Sequence, residues 1–225
     1  MELTEAMRTT FACREFTDDP VPDEVLHRIL DEARFAPSGG NRQGGHVVVV
    51  RDPAIRRRLG ELAQPTLRVY AAQAAVGETP FNSVHPTAID VEAALRTPTD
   101  ILPMFSHLDE VPVVLVVTVD LTQVVSVDKD LDRVGLDTGA SIYPLVWNIL
   151  LAARAEGLGG VLTTVVAPAE ADVQALLGLP EEHAIAALIP LGRPVRQLTR
   201  LRRRPVEDFT TIDRYDGVPL GPAGE

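Results

Sequence analysis

The sequence predicts an α+β fold in a single domain, and three observations lead to this prediction. The chain has 225 residues, the size of one ordinary domain. Hydrophobic residues make up 45% of it, enough for a packed core without disulfides or metals. Segments with helical and strand-like patterns follow one another without the regular βαβ repeat of a parallel sheet. We therefore expect a central sheet covered by helices.

The first predicted elements are a helix, a glycine-rich loop, a strand and a second helix. Apolar residues recur at helical spacing over 21–35, which predicts an amphipathic helix. The loop at 37–45 leads into the β-branched run 46–50, which we predict to be a central strand because it is apolar throughout. The next helix is predicted over 53–62, and we place its three arginines, 56–58, on a solvated face.

The segment 78–110 is interpreted as a lid-like insertion. It begins with a stretch rich in Pro, Thr, Asp and Asn that lacks sustained periodicity, and long loops of this kind in a domain are usually functional. The remaining predicted elements are a strand at 111–120, a helix at 137–156 that Gly157 ends, a strand at 161–166, a helix at 168–177 and a strand at 184–191.

The charge of the chain limits its partners. The formal net charge is −11, which argues against nucleic acid and anionic membranes, and no apolar run reaches the ~20 residues that span a bilayer. Cys13 is the only cysteine and the first residues lack a signal-peptide pattern, so we expect a cytoplasmic location. The segment 193–204 nevertheless carries six arginines and no acid, which indicates a local anion.

The loop at 36–43, A-P-S-G-G-N-R-Q, is the first candidate binding site. Adjacent glycines let backbone N–H groups approach a ligand, and Ser38, Asn41 and Gln43 offer polar groups that can read the edge of a planar heterocycle. Taken by itself, such a loop is also compatible with a simple turn. The five histidines show no metal-ligand spacing, so no metal site is predicted.

Four segments together extend over nearly the whole chain. They are T-T-F-A-C-R-E-F followed by T-D-D-P-V-P-D-E-V, the loop above, E-G-L-G-G-V-L-T-T, and L-R-R-R-P-V-E-D-F. In this order and spacing the chain resembles the FMN-dependent nitroreductase family, in particular its actinobacterial-type branch and its iodotyrosine-deiodinase-like relatives with a threonine-rich strand. The resemblance implies a nitroreductase-like three-layer α/β/α sandwich with a central mixed sheet.

The resemblance also implies a homodimer that binds FMN at the subunit interface. The helix at 137–156 would lie in the dimer core, and a C-terminal arm at 205–225 would reach over the partner through its residues 209–217. The implied cofactor-binding residues fall in four groups. They are Arg14, for the FMN phosphate or ribityl chain; Pro37, Ser38, Gly39, Asn41 and Gln43, for the isoalloxazine ring; Leu162, Thr163 and Thr164, for the N5 and O4 edge of the flavin; and Arg203, for the phosphate, with Arg202 and Arg204 as candidates for the same role or for solvent.

Two positions depart from the family pattern. The family usually has Arg-x-Ser-x-Arg/Lys near the N-terminus, where this chain has Thr10-Phe11-Ala12-Cys13-Arg14, so phosphate contacts are weakened although Thr10 keeps a hydroxyl. Many members have Gln-Pro-Trp where this chain has Gln43-Gly44-Gly45, so an aromatic side chain is missing. Thr163 and Thr164 would tune the flavin N5, although β-branched residues also simply favour a strand.

The function that follows is an FMN-dependent oxidoreductase. NADH or NADPH would supply hydride through the flavin to a nitroaromatic, quinone or similar acceptor by a ping-pong mechanism, with no catalytic side chain because the flavin carries the chemistry. Two alternatives remain open at this point: a reductive dehalogenase-like flavoenzyme, and a flavin-binding carrier or regulatory protein without turnover.

Overall fold

The computed structural model describes residues 1–221 of the chain. Within this range it contains six helices and four strands, and short 3-10 turns separate several of them. The elements are α1 (Leu3–Thr9), α2 (Asp23–Ala33), β1 (Gly45–Val50), α3 (Pro53–Ala75), α4 (Val91–Arg96), β2 (Val113–Asp120), α5 (Tyr143–Ala155), β3 (Gly159–Gly160), α6 (Glu170–Leu177) and β4 (His183–Gly192). The 3-10 turns are Gly39–Asn41, Pro103–His107, Asp137–Ser141, Ala167–Ala169 and Val206–Asp208.

The sheet has the strand order β1-β2-β4-β3, and all its neighbouring strands are antiparallel. It therefore differs from the mixed sheet that the resemblance implies, and the parallel component is reduced to one bridge between Ala12 and Gly160. The reason lies in the connections. The end of β1 and the start of β2 meet at Val50 and Val114, and the end of β2 meets the start of β4 at Asp120 and His183. Because each connection leaves and re-enters at one end of the sheet, the strands it joins run in opposite directions.

Both faces of the sheet are covered by helices. In β2, Val113, Leu115 and Val117 point into one core together with α2 and α5, whereas Val114 and Val116 point into a second core with α3. All five side chains are fully buried. The α+β class and the three-layer α/β/α arrangement are thus confirmed.

The position of β1 corrects one prediction. The valine run is not central, since β1 pairs only with β2 within the described residues. Val47 packs against one core and Val48 against the other, which explains the uniform apolar pattern, while Val49 is 38% exposed. Burial of both faces near an edge therefore produces the same sequence signal as a central strand.

Helix α3 is much longer than the predicted 53–62. The Asp52 carboxylate accepts hydrogen bonds from the Ala54 and Ile55 amides and caps its start, and the helix continues through Pro65 to Ala75. Proline is a helix-breaking signal in a sequence, but in this helix apolar packing against the second core outweighs the one lost backbone hydrogen bond.

One of the three arginines predicted to be solvated is buried. Arg56 is 8% exposed, and its guanidinium donates to the carbonyls of Arg51 (2.6 Å), Asp109 (2.6 Å) and Pro112 (3.3 Å). Burial lowers the pKa of Arg56. Arg57 and Arg58 are exposed, as predicted.

Two other elements begin later or are shorter than their sequence patterns. Helix α5 starts at Tyr143 after a 3-10 turn, which places Pro144 in the first helical turn, where no backbone donor is needed. Gly157 follows its end with φ +77°, a conformation that favours glycine. Of the strand predicted at 161–166, only a bridge between Thr163 and Leu188 is present.

The segment 78–110 contains α4 and the 3-10 turn Pro103–His107, and part of it is firmly packed. Met104 and Phe105 are buried against α3, and Gly60 makes this approach possible, because a Cβ there would lie 2.4 Å from the Phe105 carbonyl oxygen. Among the described helices, none is both long and apolar enough to cross a membrane.

Candidate functional site

A cavity of about 790 Å³ lies beside the second core, and we call it the main cavity. Most of its lining comes from the segment 161–168, the second half of α3 and the 78–110 segment, and Arg14 adds a fourth region. The apolar part of the wall includes Leu102, Met104, Phe105 and Leu162, and the polar part includes Arg14, Thr163 and Thr164. Four of the sequence-predicted site residues, Arg14 and Leu162–Thr164, therefore share one cavity.

Backbone contacts hold Arg14 next to the threonine segment. Ala12 forms the parallel bridge to Gly160, and the Cys13 amide donates to the Gly160 carbonyl at 3.1 Å. The Arg14 side chain is exposed and makes one long hydrogen bond of 3.4 Å to the Ala12 carbonyl. It forms no ion pair within residues 1–221, so its charge is available to a ligand in the main cavity.

Both backbone polar groups of Thr163 are already hydrogen-bonded within the protein. Its N–H donates to the Leu188 carbonyl at 3.0 Å, and its carbonyl accepts from the Leu188 amide at 2.8 Å. In an extended chain, successive N–H groups point in opposite directions, so those of Leu162 and Thr164 point away from β4. Neither finds an acceptor in the described part of the chain. These two amides, rather than that of Thr163, are the donors that this segment can offer to a ligand.

The loop at 37–45 has an unusual backbone. Gly40, Asn41 and Gln43 all have positive φ, between 51° and 62°. The Ser38 hydroxyl accepts from the Gln43 amide at 2.9 Å, which ties the two ends of the tight turn together. Non-glycine residues in this conformation are uncommon, and they cluster at binding sites where the surrounding structure holds them.

Contacts with α5 and the turn before it fix this loop on the protein. The Gly39 amide donates to the Ser141 hydroxyl at 3.1 Å, a residue that sequence analysis did not single out because it lies 102 positions away. Pro37, Ser38 and Gln43 line a small cavity of about 160 Å³ with Ser141. The Asn41 side chain is exposed on this surface.

The missing aromatic residue at the end of the loop has a structural explanation. A Cβ at Gly45 would lie 2.8 Å from Leu145 Cδ2 and 3.0 Å from Ile142 Cδ1. A side chain at this position would force the ends of the Leu145 and Ile142 side chains to move. The departure from Gln-Pro-Trp therefore goes together with close packing of the loop on that helix.

Within one chain, the loop and the threonine segment are far apart. Thr163 pairs with Leu188, which is paired in turn with Val116. Val116 then pairs with Val48 of β1. Three strand spacings amount to roughly 14 Å, and the loop lies beyond the start of β1. The loop also packs on the α5 face, whereas the main cavity lies on the α3 face. The chain thus does not bring these two predicted groups together by itself.

Arg203 lines a third cavity of about 580 Å³ near α1. Arg8 and Arg200 also line this cavity, so three arginines contribute to its wall. The Gln197 side-chain amide donates to the Thr9 carbonyl at 3.1 Å and attaches the C-terminal arginine segment to the end of α1. None of the three arginines forms an ion pair in the part of the chain that the structure describes. Arg8 carries no motif signal, and only the fold shows that it belongs to this group.

The Thr10 hydroxyl is not available at this site. It is buried and donates to the Ala6 carbonyl at 2.8 Å at the end of α1. Cys13 is 1% exposed, and burial raises the pKa of its thiol, which excludes it as a ready nucleophile. Over residues 1–221, no group of three or more His, Cys, Asp or Glu side chains is placed to hold a metal ion.

The chain therefore combines a three-layer α/β/α fold, a glycine-rich loop with positive φ angles, and cavities lined by arginines that form no ion pair within residues 1–221. The model of the Nitroreductase family matches residues 7–193, so the chain belongs to the nitroreductase family. The resemblance inferred from the motifs is confirmed.

Known relatives agree with this placement. The chain is 35% identical over 201 residues to a protein named NADH dehydrogenase from Thermus thermophilus, a match that covers 86% of this chain and 87% of the relative. It is 23% identical to an iodotyrosine deiodinase from Nematostella vectensis, over 94% of this chain and 75% of the relative. Its fold is similar to that of an NADPH:FMN oxidoreductase from Vibrio harveyi solved in complex with NAD+, with a TM-score of 0.67 and 21% identity, over 96% of this chain and 79% of the other.

Proposed function

We propose that the chain is an FMN-dependent oxidoreductase that takes hydride from NADH or NADPH and reduces a nitroaromatic, quinone or similar acceptor. The relative from Thermus thermophilus, named NADH dehydrogenase, supports the nicotinamide donor. The Vibrio harveyi enzyme, an NADPH:FMN oxidoreductase of the same fold, supports the flavin. When bound, FMN supplies the hydride acceptor and donor of a ping-pong cycle, so that no side-chain nucleophile is required.

The residues of this chain fit such a cofactor. A phosphate is bound best by guanidinium groups, and Arg8, Arg200 and Arg203 surround one cavity without any acid to neutralise them. Arg14 lies in the main cavity, beside the unpaired amides of Leu162 and Thr164. We assign the phosphate to the first group and the electron-rich edge of the ring to the second. The apolar wall of the main cavity excludes water from the ring face.

The observation that carries the proposal is the separation of the two ring-binding groups across the sheet. A single flavin cannot touch the loop at 37–43 and the segment at 162–164 of one chain when three strand spacings lie between them. Two copies related by a twofold axis solve this problem, because each supplies the loop to the site of the other. We therefore propose a homodimer with two composite flavin sites.

Exposed aromatic side chains are consistent with this dimer. On α5, Tyr143 is 42% and Trp147 is 44% exposed, an unusual position for large apolar groups on a helix that otherwise forms core. In the proposed C-terminal arm, Phe209 is 60% and Tyr215 is fully exposed. We propose that a second copy covers these surfaces, with α5 central and the arm over the partner. Residues 222–225 of the arm lie outside the described residues.

The lining of the main cavity favours a neutral acceptor over an amino acid. Among the lining residues, Arg14 is the only charged one, and no carboxylate is present. The ammonium group of iodotyrosine would find no counterion from this chain there, which is costly in a partly buried site. We expect no iodide release when the reduced protein is incubated with iodotyrosine, whereas sustained release would favour the dehalogenase alternative.

The central experiment is purification followed by anaerobic titration. We expect a yellow protein with an FMN spectrum that NADH or NADPH bleaches and a nitroaromatic restores. An apoprotein that cannot be reconstituted with FMN would overturn the proposal. A bound flavin that neither nucleotide reduces would instead support the carrier alternative and leave the fold assignment intact.

Mixed dimers test the composite site. One parent carries Asn41→Ala and Gln43→Ala in the loop, and the other carries Arg14→Ala and Arg203→Ala. If each site uses the loop of one chain and the arginines of the other, half of the dimers are mixed and each has one intact site. About a quarter of all sites should then recover FMN binding. No recovery on mixing would show that each site is built within one chain.

A further inference from the structure

Phe81 occupies a strained position at the wall of the main cavity. Its φ is +54°, a conformation that bulky side chains rarely adopt. The residue is 51% exposed, although it lines the cavity together with Tyr70 and Phe105. Nothing in the packing of the core requires an aromatic residue there, so the strain is not explained by stability.

A buried amide holds this conformation. Gln73 of α3 is 6% exposed, and its side-chain oxygen accepts a hydrogen bond from the Phe81 amide at 3.0 Å. The Gln73 carbonyl also accepts from the Glu78 amide at 3.0 Å. The last turns of α3 and the start of the 78–110 segment are therefore bound to each other through one residue.

The rest of the loop is closed by its own polar contacts. The Glu78 carboxylate accepts from the Thr87 hydroxyl (2.6 Å) and the Ala88 amide (2.7 Å), and these bonds lower the pKa of Glu78. The Asn82 side chain accepts from the amides of Val84 and His85 at 2.8 Å. These hydrogen bonds anchor the loop on both sides of Phe81. They therefore hold Phe81 at the wall of the main cavity.

We propose that Phe81 is a specificity-determining residue for planar aromatic acceptors and that Gln73 is the residue that positions it. This inference rests on the proposed oxidoreductase function of the main cavity. An exposed ring fixed at the wall offers an offset-stacked or edge-to-face contact to a planar substrate. A small inorganic acceptor such as ferricyanide gains nothing from this contact, because it has no aromatic face.

The first test compares Phe81→Gly with wild type. Glycine accepts the positive φ and keeps the loop backbone, so only the ring is lost. We expect the KM for 4-nitrobenzamide to rise about tenfold, as the loss of one aromatic contact and its buried area predicts, with kcat and the KM for ferricyanide unchanged. Phe81→Tyr should retain the wild-type KM, and Val84→Ala, in the same loop but away from the cavity lining, should have no effect.

The second test addresses Gln73. Gln73→Met keeps the size of the side chain but removes the acceptor for the Phe81 amide. We expect it to raise the KM for 4-nitrobenzamide in the wild-type background and to have no further effect in the Phe81→Gly background, because it acts through the ring. Equal effects in both backgrounds would overturn the positioning role.

A binding measurement separates this inference from the proposed function. The dissociation constant of 4-nitrobenzamide is measured by calorimetry on purified wild-type protein and on each variant, without any nucleotide. We expect the same tenfold weakening in Phe81→Gly, even if turnover with NADH or NADPH is absent. An unchanged dissociation constant, or a KM change shared equally by 4-nitrobenzamide and ferricyanide, would overturn the role of Phe81.

Discussion

Two groups of arginines in this protein differ in what neutralises them. In α3, Arg57 pairs with Asp109 at 2.7 Å and Arg58 with Glu61 at 2.8 Å, while Arg56 is enclosed by backbone carbonyls. The arginines at the cavities, Arg14 and Arg203, form no ion pair within residues 1–221. The charges of the first group are neutralised or hydrogen-bonded within the fold. Those of the second group remain unpaired in residues that line open cavities.

The difference shows how a basic segment can be interpreted in an acidic protein. Arginine triplets occur in both regions, at 56–58 and at 202–204, so composition alone does not separate them. What separates them is the presence of an acid or a ring of carbonyls within reach. The chain has a net charge of −11, yet no acid within residues 1–221 pairs with these guanidinium groups, which fits the anionic ligand that we propose.

The largest effect on stability is expected at Arg56. Arg56→Ala removes several charge-assisted hydrogen bonds and leaves the Arg51 and Asp109 carbonyls without donors, so we expect a loss of about 2–3 kcal/mol. The matched control is Arg58→Ala in the same helix, whose exposed pair should be worth less than about 0.5 kcal/mol. Urea unfolding measures both, and equal losses would contradict the assignment of the two arginines to different environments.

The next effect concerns cofactor affinity. Arg203→Ala removes a guanidinium that we propose to bind the FMN phosphate, and it should raise the dissociation constant of FMN about tenfold or more. Arg57→Ala removes a charge that Asp109 already neutralises, and the affinity should stay within about twofold. Fluorescence titration of the apoprotein with FMN compares the two, and equal, negligible effects would refute the phosphate role of Arg203.

A third prediction uses an arginine that is paired internally. The Leu136 amide donates to the buried Asp128 carboxylate at 2.7 Å, Arg133 donates to it at 2.6 Å, and together these bonds lower the pKa of Asp128 from 3.8 to about 2. A depressed folded-state pKa contributes stability above pH 3.8 that is lost as the pH falls towards 2.

Asp128→Asn should therefore be less stable than wild type at pH 7, and the difference should disappear near pH 2. Unfolding midpoints measured from pH 7 to pH 2 test this. A difference that stays constant over the whole range would show that the carboxylate charge contributes nothing.

The smallest effect is expected at Cys13, the residue before Arg14. If Arg14 faces the main cavity, its charge does little for the Cys13 thiol, and burial keeps the thiol pKa raised. We expect no reaction of the native protein with Ellman's reagent over minutes and full reaction in denaturant. Rapid modification of the folded protein would contradict the burial of the thiol and its raised pKa.

Much of the local structure follows from the sequence. The helical period at 21–35, the valine-rich strands and Gly157 predict elements that the structure contains. Where prediction fails, a long-range contact overrides a local signal. Pro65 does not stop α3 because apolar packing holds the helix, and β1 looks central because two different cores bury its two faces.

The residues of the candidate site also fall into those that the sequence indicates and those that only the structure reveals. The glycine loop, Arg14, the threonine segment and Arg203 are visible as motifs, and their roles as cofactor ligands remain predictions. Arg8, Ser141 and Phe81 carry no motif, since each matters only through residues far away in sequence or through a backbone angle. No spacing rule could have selected them.

The sequence by itself determined the family, the order of the elements and the residue types available to bind an anionic planar ligand. These depend on short-range patterns, such as periodicity, turn residues and motif spacing. Only the tertiary structure decided that Arg56 is buried while Arg14 and Arg203 stay unpaired, and that the loop and the threonine segment lie at opposite edges of the sheet. The physical reason is that charge pairing and cavity shape arise from strand order, register and other long-range contacts, such as the hydrogen bond from Gln197 to the Thr9 carbonyl, 188 positions away in the chain.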